Sequence, residues 1–237
     1  SCLLCYETND EHSFETFGRQ MEVARQACRA GKELTDEQEQ LIILTEGNLE
    51  YQLLEGRRLA KHSRYLQAIA LLEPAYRRLI QKDQEIIESR YPKTVDAAYQ
   101  LGYCYYHLNQ MDKSYYYFSI AYKADRLDAA YMYFQLLYQT RDVNLLTELS
   151  EEKDKMEKIL QDMAKRREQL DEDEERQYNN IRDYYLFLYK LHAEIMIRHE
   201  FYDNAYSDLN YLLQYEQTHD FAQAKIDELD AIIPPEE

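Results

Sequence analysis

Three stretches of the chain share one pattern of small and large residues, and this pattern limits the possible folds more than any other feature. With Gly56, Gly102 and Ala193 as anchors, the residues twelve positions later are all small, namely Ala68, Ser114 and Ala205. The residues sixteen positions later are all large and apolar, namely Leu72, Phe118 and Leu209. Two small residues let antiparallel helices approach closely, and the large ones fill the seam beside them. The pattern therefore predicts three antiparallel helix hairpins.

One of these stretches also matches a known repeat. The segment LGYCYYHLNQMDKSYYYFSIAYKAD resembles a tetratricopeptide repeat, whose pattern opens W-x2-L-G-x2-Y and continues with A and F places. The residues in the L, G, Y, A and F places are Leu101, Gly102, Tyr105, Ser114 and Phe118. Ala98 stands at the Trp place, and Arg126 stands about where the closing Pro is usual. The resemblance covers residues 49–140 and 184–215, about half of the chain.

The resemblance and the pattern together predict an all-α fold. The expected architecture is a set of stacked antiparallel helix hairpins in a tetratricopeptide-like right-handed superhelix, with elongated and inserted helices. Only 5 Gly and 4 Pro occur in 237 residues, too few for the many turns of an all-β sandwich. We expect an N-terminal helical cap over 1–48 and a repeat region over 49–237. The repeat region would include a charged helical insertion at 150–177 and a capping helix at 220–233, in one continuous domain.

Local signals place several helix ends. Apolar spacing predicts a first helix over 13–30, and Thr35 with Gln38 forms a capping-box signature that starts a second helix near Asp36. A long helix is expected over 65–90 with a kink at Pro74. A second long, exposed helix is expected over 150–169, and the acidic run 171–175 favours a helix start there.

The charge balance excludes some partners. The chain has 45 acidic and 28 basic residues and a formal net charge of −17. Nucleic acid and anionic membranes are therefore not expected partners, because both need excess positive charge on the protein. An acidic surface would attract basic peptides. The chain has no apolar run of the ~20 residues that span a bilayer, so cytoplasmic is the default localisation.

No motif of an enzyme, cofactor or metal site is present. The sequence has no glycine-rich phosphate loop and no nucleophile or zincin motif. Cys2 and Cys5 form a single CxxC, whereas a structural zinc ion needs four ligands. His192 and His199 are seven residues apart with Glu194 between them, which is not the Glu-x-x-His spacing of carboxylate-bundle metal sites. We expect no catalysis, no cofactor and no metal.

The predicted function is protein or peptide binding in a tyrosine-rich groove. Stacked hairpins present a concave surface formed mainly by the first helix of each hairpin. The residues expected to line it are Tyr99, Tyr103, Tyr106, His107, Tyr133, Phe134, Arg57, Lys61, Lys190 and Arg198. Tetratricopeptide domains that clamp a C-terminal carboxylate use Lys, Asn and Arg here. Tyr99 and Tyr103 replace two of these, so the resemblance does not imply that specificity.

Three alternatives remain open at this point. The long helices over 65–90 and 150–169 would turn the tyrosines into core residues if they folded back into the groove. The tyrosines would instead form a homodimer interface in a self-associating structural protein. An all-helical enzyme without a recognisable motif would need a polar pocket with perturbed titratable groups.

Overall fold

The computed structural model describes residues 11–30, 32–38, 49–82 and 92–232. Within these ranges the regular structure is entirely helical, which confirms the predicted all-α class. The chain divides into two compact units, Ser1–Ala124 and Asp125–Glu237.

Unit 1 contains two consecutive helix hairpins. Its helices are α1 (Glu11–Arg29), α2 (Leu49–Lys61), α3 (Tyr65–Lys82), α4 (Pro92–His107) and α5 (Met111–Lys123). Helix α2 packs against α3, and α4 against α5, while α3 also packs against α4 and α2 contacts α4. This is the stacked arrangement that the repeat pattern predicts.

The seam of each unit 1 hairpin is built from the anchor glycine and the large residue sixteen positions later. A Cβ atom at Gly102 would lie 2.8 Å from Phe118 Cδ1, and one at Gly56 would lie 2.5 Å from Leu72 Cγ. The hydroxyl of Ser114, which is completely buried, donates to the Gly102 carbonyl at 2.8 Å. Any side chain at these glycines would therefore displace the seam residue.

Unit 2 contains the third hairpin and the long charged helix. Its helices are α6 (Leu127–Thr140), α7 (Leu145–Lys165), α8 (Glu172–Arg198), α9 (Tyr202–Leu212) and α10 (Glu216–Ile232), with a short 3-10 turn at Arg167–Gln169. Helices α8 and α9 form the hairpin, and Ala193, Ala205 and Leu209 are fully buried in it. Helix α7 packs along α8, α6 contacts both α7 and α8, and α10 packs against α9.

Two of the predicted helix starts are confirmed by reciprocal capping bonds. The backbone amide of Gln38 donates to Thr35 Oγ1 at 3.2 Å, and the backbone amide of Thr35 donates to Gln38 Oε1 at 3.1 Å. Asp171 and Glu174 form the same capping box at the start of α8. The continuation of the second predicted helix after Gln38 lies outside the described residues. Residues 83–90 of the helix predicted over 65–90 also lie outside them.

The charged helix α7 is less exposed than we predicted. Its apolar stripe exists, but Leu149, Met156 and Met163 are buried within unit 2, together with Glu152. The Tyr184 hydroxyl of α8 donates to Glu152 Oε1 at 3.2 Å. The helix is therefore part of the core on one side, because its stripe meets the apolar surface of α8.

The three hairpin turns share an unusual backbone conformation. Ser63, Asn109 and Glu200 each lie seven residues after their anchor, and each has a positive φ, of 61°, 58° and 62°. In each turn two amides bond back across the helix end; the Glu200 amide donates to Ile197 and the Phe201 amide to Met196. This is the Schellman end of a helix, where glycine is the usual residue.

We predict that Glu200→Gly stabilises the protein by about 1 kcal/mol, because an L-residue with a long side chain is strained in this conformation. Chemical denaturation measures the change. Asn109→Gly is the comparison, and its effect should be smaller because asparagine tolerates positive φ. A Glu200→Gly variant that is less stable than wild type would contradict this interpretation of the turn.

Candidate functional site

The aromatic residues predicted for the groove in unit 1 lie together on one side of α4. We call the group Tyr65, Tyr99, Tyr103, Tyr106 and His107 the tyrosine face. The ring centroids of Tyr103 and His107 are 4.4 Å apart, and those of Tyr65 and His107 are 4.8 Å apart with nearly parallel planes. Tyr99 and Tyr103 are 6.5 Å apart, and Tyr106 and His107 are 5.5 Å apart. The face is thus one continuous group of rings.

The helical period explains this grouping. Tyr99, Tyr103 and Tyr106 have i, i+4 and i+7 spacing, which places their side chains on one side of the helix. The other side of α4 carries Ala97 and Leu101, which are both completely buried. Tyr99, Tyr103 and Tyr106 therefore lie on the side of α4 opposite to these buried residues.

The side chains of the tyrosine face pack against neighbouring residues but are only partly buried. Its four tyrosines are half-buried, and His107 is exposed. Tyr99 packs against Phe118, the seam residue of the α4–α5 hairpin, at a centroid distance of 5.7 Å. Burial, with smaller effects from Tyr65, raises the pKa of Tyr103 above its ordinary value. The face therefore combines apolar area with fixed polar groups.

Tyr65 is a member of the face that sequence reasoning missed. It is the first residue of α3, and its ring lies 6.2 Å from that of Tyr103. Its position nine residues after Gly56 was visible in the sequence as an aromatic residue at the start of the second helix. The period of α4 alone does not show it, because the contact joins two hairpins.

Two predicted groove residues, Tyr133 and Phe134, are buried, so the expectation that they would be accessible is wrong. Tyr133 is 4% exposed and Phe134 is 0% exposed. The Tyr133 hydroxyl donates to Glu148 Oε2 at 2.6 Å, which joins α6 to α7. The residues buried on α6 are Ala129, Ala130, Tyr133, Phe134, Leu136 and Leu137. These residues share one side of α6, which is packed inside unit 2, so Tyr133 and Phe134 are not accessible to a partner.

The four predicted basic residues are divided between the two units. Arg57 and Lys61 are exposed on α2 in unit 1. Lys190 and Arg198 are on α8 in unit 2, where their charged groups cover the rings of Phe221 and Tyr138 at 4.9 and 4.3 Å. The two lie eight positions apart on the same helix.

Unit 2 contains a buried polar cluster that sequence reasoning did not find. Asp208 of α9 accepts from His192 of α8 with 2.5 Å between Oδ2 and Nδ1, and its other oxygen lies 3.7 Å from Lys153 Nζ of α7. The Lys153 ammonium also lies 3.8 Å from the ring centre of Tyr189. Burial lowers the pKa of Lys153, and Asp208 opposes this effect. The cluster joins three helices through one carboxylate.

Tyrosine hydroxyls elsewhere in the protein repeatedly bond to carboxylates. Within unit 1, Tyr105 and Tyr117 both donate to Glu73, the latter at 3.4 Å. Within unit 2, Tyr206 donates to Asp230 at 2.6 Å, in addition to the bonds to Glu148 and Glu152 described above. In all these pairs the acceptor of the tyrosine hydroxyl is a carboxylate of the same unit.

The described residues contain no group of three or more His, Cys, Asp or Glu side chains that could hold a metal ion. His192 is paired with Asp208 rather than with His199. Cys104 is a buried free thiol whose pKa burial raises to about 12. The CxxC pair, Cys2 and Cys5, lies outside the described residues.

No helix in the described part of the chain has the length and apolar character needed to cross a membrane. Comparison of the chain with family models, curated proteins and solved structures found no match.

Proposed function

We propose that the protein binds a segment of another polypeptide and that the tyrosine face of unit 1 is the contact surface. The observation that carries this proposal is the grouping of four half-buried tyrosines with an exposed histidine on one side of a packed hairpin. The protein has no catalytic role in this proposal.

Tyrosine suits this role for physical reasons. A tyrosine buries a large area on binding, has few rotatable bonds and keeps a hydroxyl for hydrogen bonds, so it is enriched among residues that dominate binding energy. On this face the rings contact each other and Phe118, so the binding partner would not have to order them. Preorganisation of this kind lowers the entropic cost of association.

A direct test selects peptides that bind the purified protein from a phage-displayed library of random twelve-residue sequences. The dissociation constants of the selected peptides are then measured by fluorescence anisotropy. We expect Tyr103→Ala to weaken binding by ~1 to 2 kcal/mol, roughly 5- to 30-fold, because it removes the ring at the centre of the face.

The matched control is Tyr116→Ala. Tyr116 is another tyrosine of unit 1, on α5, with 54% of its surface exposed. Its ring lies 5.1 Å from that of Tyr117, a residue outside the tyrosine face. This variant should bind the same peptides with unchanged affinity. Circular dichroism of both variants checks that the helices are intact. Equal affinity of wild type and Tyr103→Ala for every selected peptide would contradict the proposed surface.

Self-association through the same face is the second candidate function, and the same ring cluster would serve it. Sedimentation at several protein concentrations separates the two. A dimer that Tyr103→Ala dissociates would assign the face to a second copy of the chain rather than to another polypeptide.

A further inference from the structure

The tyrosine face lies in a part of the chain whose charge is opposite to that of the whole protein. Residues 49–124 contain 11 basic and 8 acidic side chains, a net charge of +3, whereas the full chain carries −17. The sequence alone led us to expect basic partners because the charge was averaged over the chain. Helices α3 and α4, which carry the tyrosine face, both lie within this basic stretch.

Arg57 is an exposed basic residue on the helix that neighbours α4 in unit 1. Arg57 in α2 and Tyr103 in α4 occupy equivalent repeat positions, one residue after the buried glycines Gly56 and Gly102. Helices α2 and α4 contact each other. The repeat equivalence then predicts that the two positions face the same side of these neighbouring helices. Arg57 is exposed and forms no ion pair with any described residue, although the chain is rich in carboxylates.

The hydrogen-bonding chemistry of the tyrosines agrees with this charge. Tyr133, Tyr184 and Tyr206 each donate a hydroxyl to a carboxylate within the protein, at 2.6, 3.2 and 2.6 Å. A tyrosine hydroxyl and an arginine guanidinium are both donors that favour an ionised carboxylate. A carboxylate of the partner could accept hydrogen bonds from both a tyrosine hydroxyl and the Arg57 guanidinium at this surface.

We infer that the partner segment is acidic, with an apolar side chain that packs on the rings and a neighbouring Asp or Glu that pairs with Arg57. This inference rests on the proposed function, since it specifies the chemistry of a ligand for the same surface. The apolar side chain supplies buried area, and the carboxylate supplies orientation and electrostatic attraction.

The test uses the phage-displayed random twelve-residue library and the complete protein. We expect the enriched peptides to have a net negative charge and at least one large apolar residue. Arg57→Glu should weaken their binding at least about tenfold at low salt, and Arg57→Gln less. The control is Lys123→Glu, which reverses an exposed charge at the end of α5, away from the face, and should change affinity no more than about twofold.

The outcomes separate this inference from the proposed function. If the enriched peptides are basic or uncharged, or if Arg57→Glu leaves their affinity unchanged, the acidic-partner inference is wrong. The proposed surface still stands in that case if Tyr103→Ala weakens binding. If no enriched peptide responds to Tyr103→Ala, both proposals fail. A self-complex that Arg57→Glu dissociates would identify the occupant as a second copy, which overturns the separate acidic partner.

Discussion

Gly102→Leu should destabilise the protein by about 3 kcal/mol and lower its denaturation midpoint. A Cβ atom at Gly102 would lie 2.8 to 3.0 Å from three ring atoms of Phe118, so a branched side chain must push the ring out of the seam. Phe118 is completely buried, and it supports Tyr99 on the tyrosine face. Overpacking of this kind typically costs ~1 to 3 kcal/mol, and this contact is at the severe end. Urea denaturation followed by circular dichroism measures the change.

A double-mutant cycle identifies the cause. Phe118→Leu alone should destabilise by about 1 kcal/mol, because it leaves unfilled space in the seam. Combined with Gly102→Ala, it should cost less than the sum of the single changes, since the smaller side chain makes room for the new methyl group. Strict additivity, or an unchanged midpoint for Gly102→Leu, would show that the α4–α5 hairpin is not packed through this seam.

Asp208→Ala should destabilise the protein by about 3 kcal/mol. The Asp208 carboxylate is 9% exposed and serves both His192 and Lys153, so its removal leaves a largely buried ammonium without its acceptor. Loss of one partner from a buried ion pair costs ~3 to 5 kcal/mol, and the partial exposure of Lys153 places the expected loss at the lower end of that range. The measurement is again the free energy of unfolding from urea denaturation.

Two comparisons make this prediction specific to the ion pair. Asn210→Ala removes an exposed polar side chain from the same helix and should change stability by less than about 0.5 kcal/mol. Lys153→Met combined with Asp208→Leu removes both charges and should cost less than Asp208→Ala alone, because no buried charge is left unpaired. A double variant as unstable as Asp208→Ala would mean that packing, rather than charge, holds this cluster.

The sequence by itself determined the hairpins, because the features that define them are local. The twelve positions from Gly102 to Ser114 cover the end of α4, the short connection at 108–110 and the first turn of α5. The capping boxes at Thr35 and Asp171 involve residues only three positions apart. Helical period likewise placed Tyr99 and Tyr103 on one side of α4. Each of these inferences needs only the geometry of a single helix or hairpin.

Only the tertiary structure decided what covers each helix side. The sequence pattern predicted that Tyr133 lines the groove. In the structure α6 packs against two helices, and the Tyr133 hydroxyl donates to Glu148. The Asp208 cluster joins positions 153, 192 and 208 from three helices, and no periodicity connects residues so far apart. Periodicity shows which residues share a side of a helix. Whether that side meets another helix or solvent depends on packing between segments that are distant in sequence.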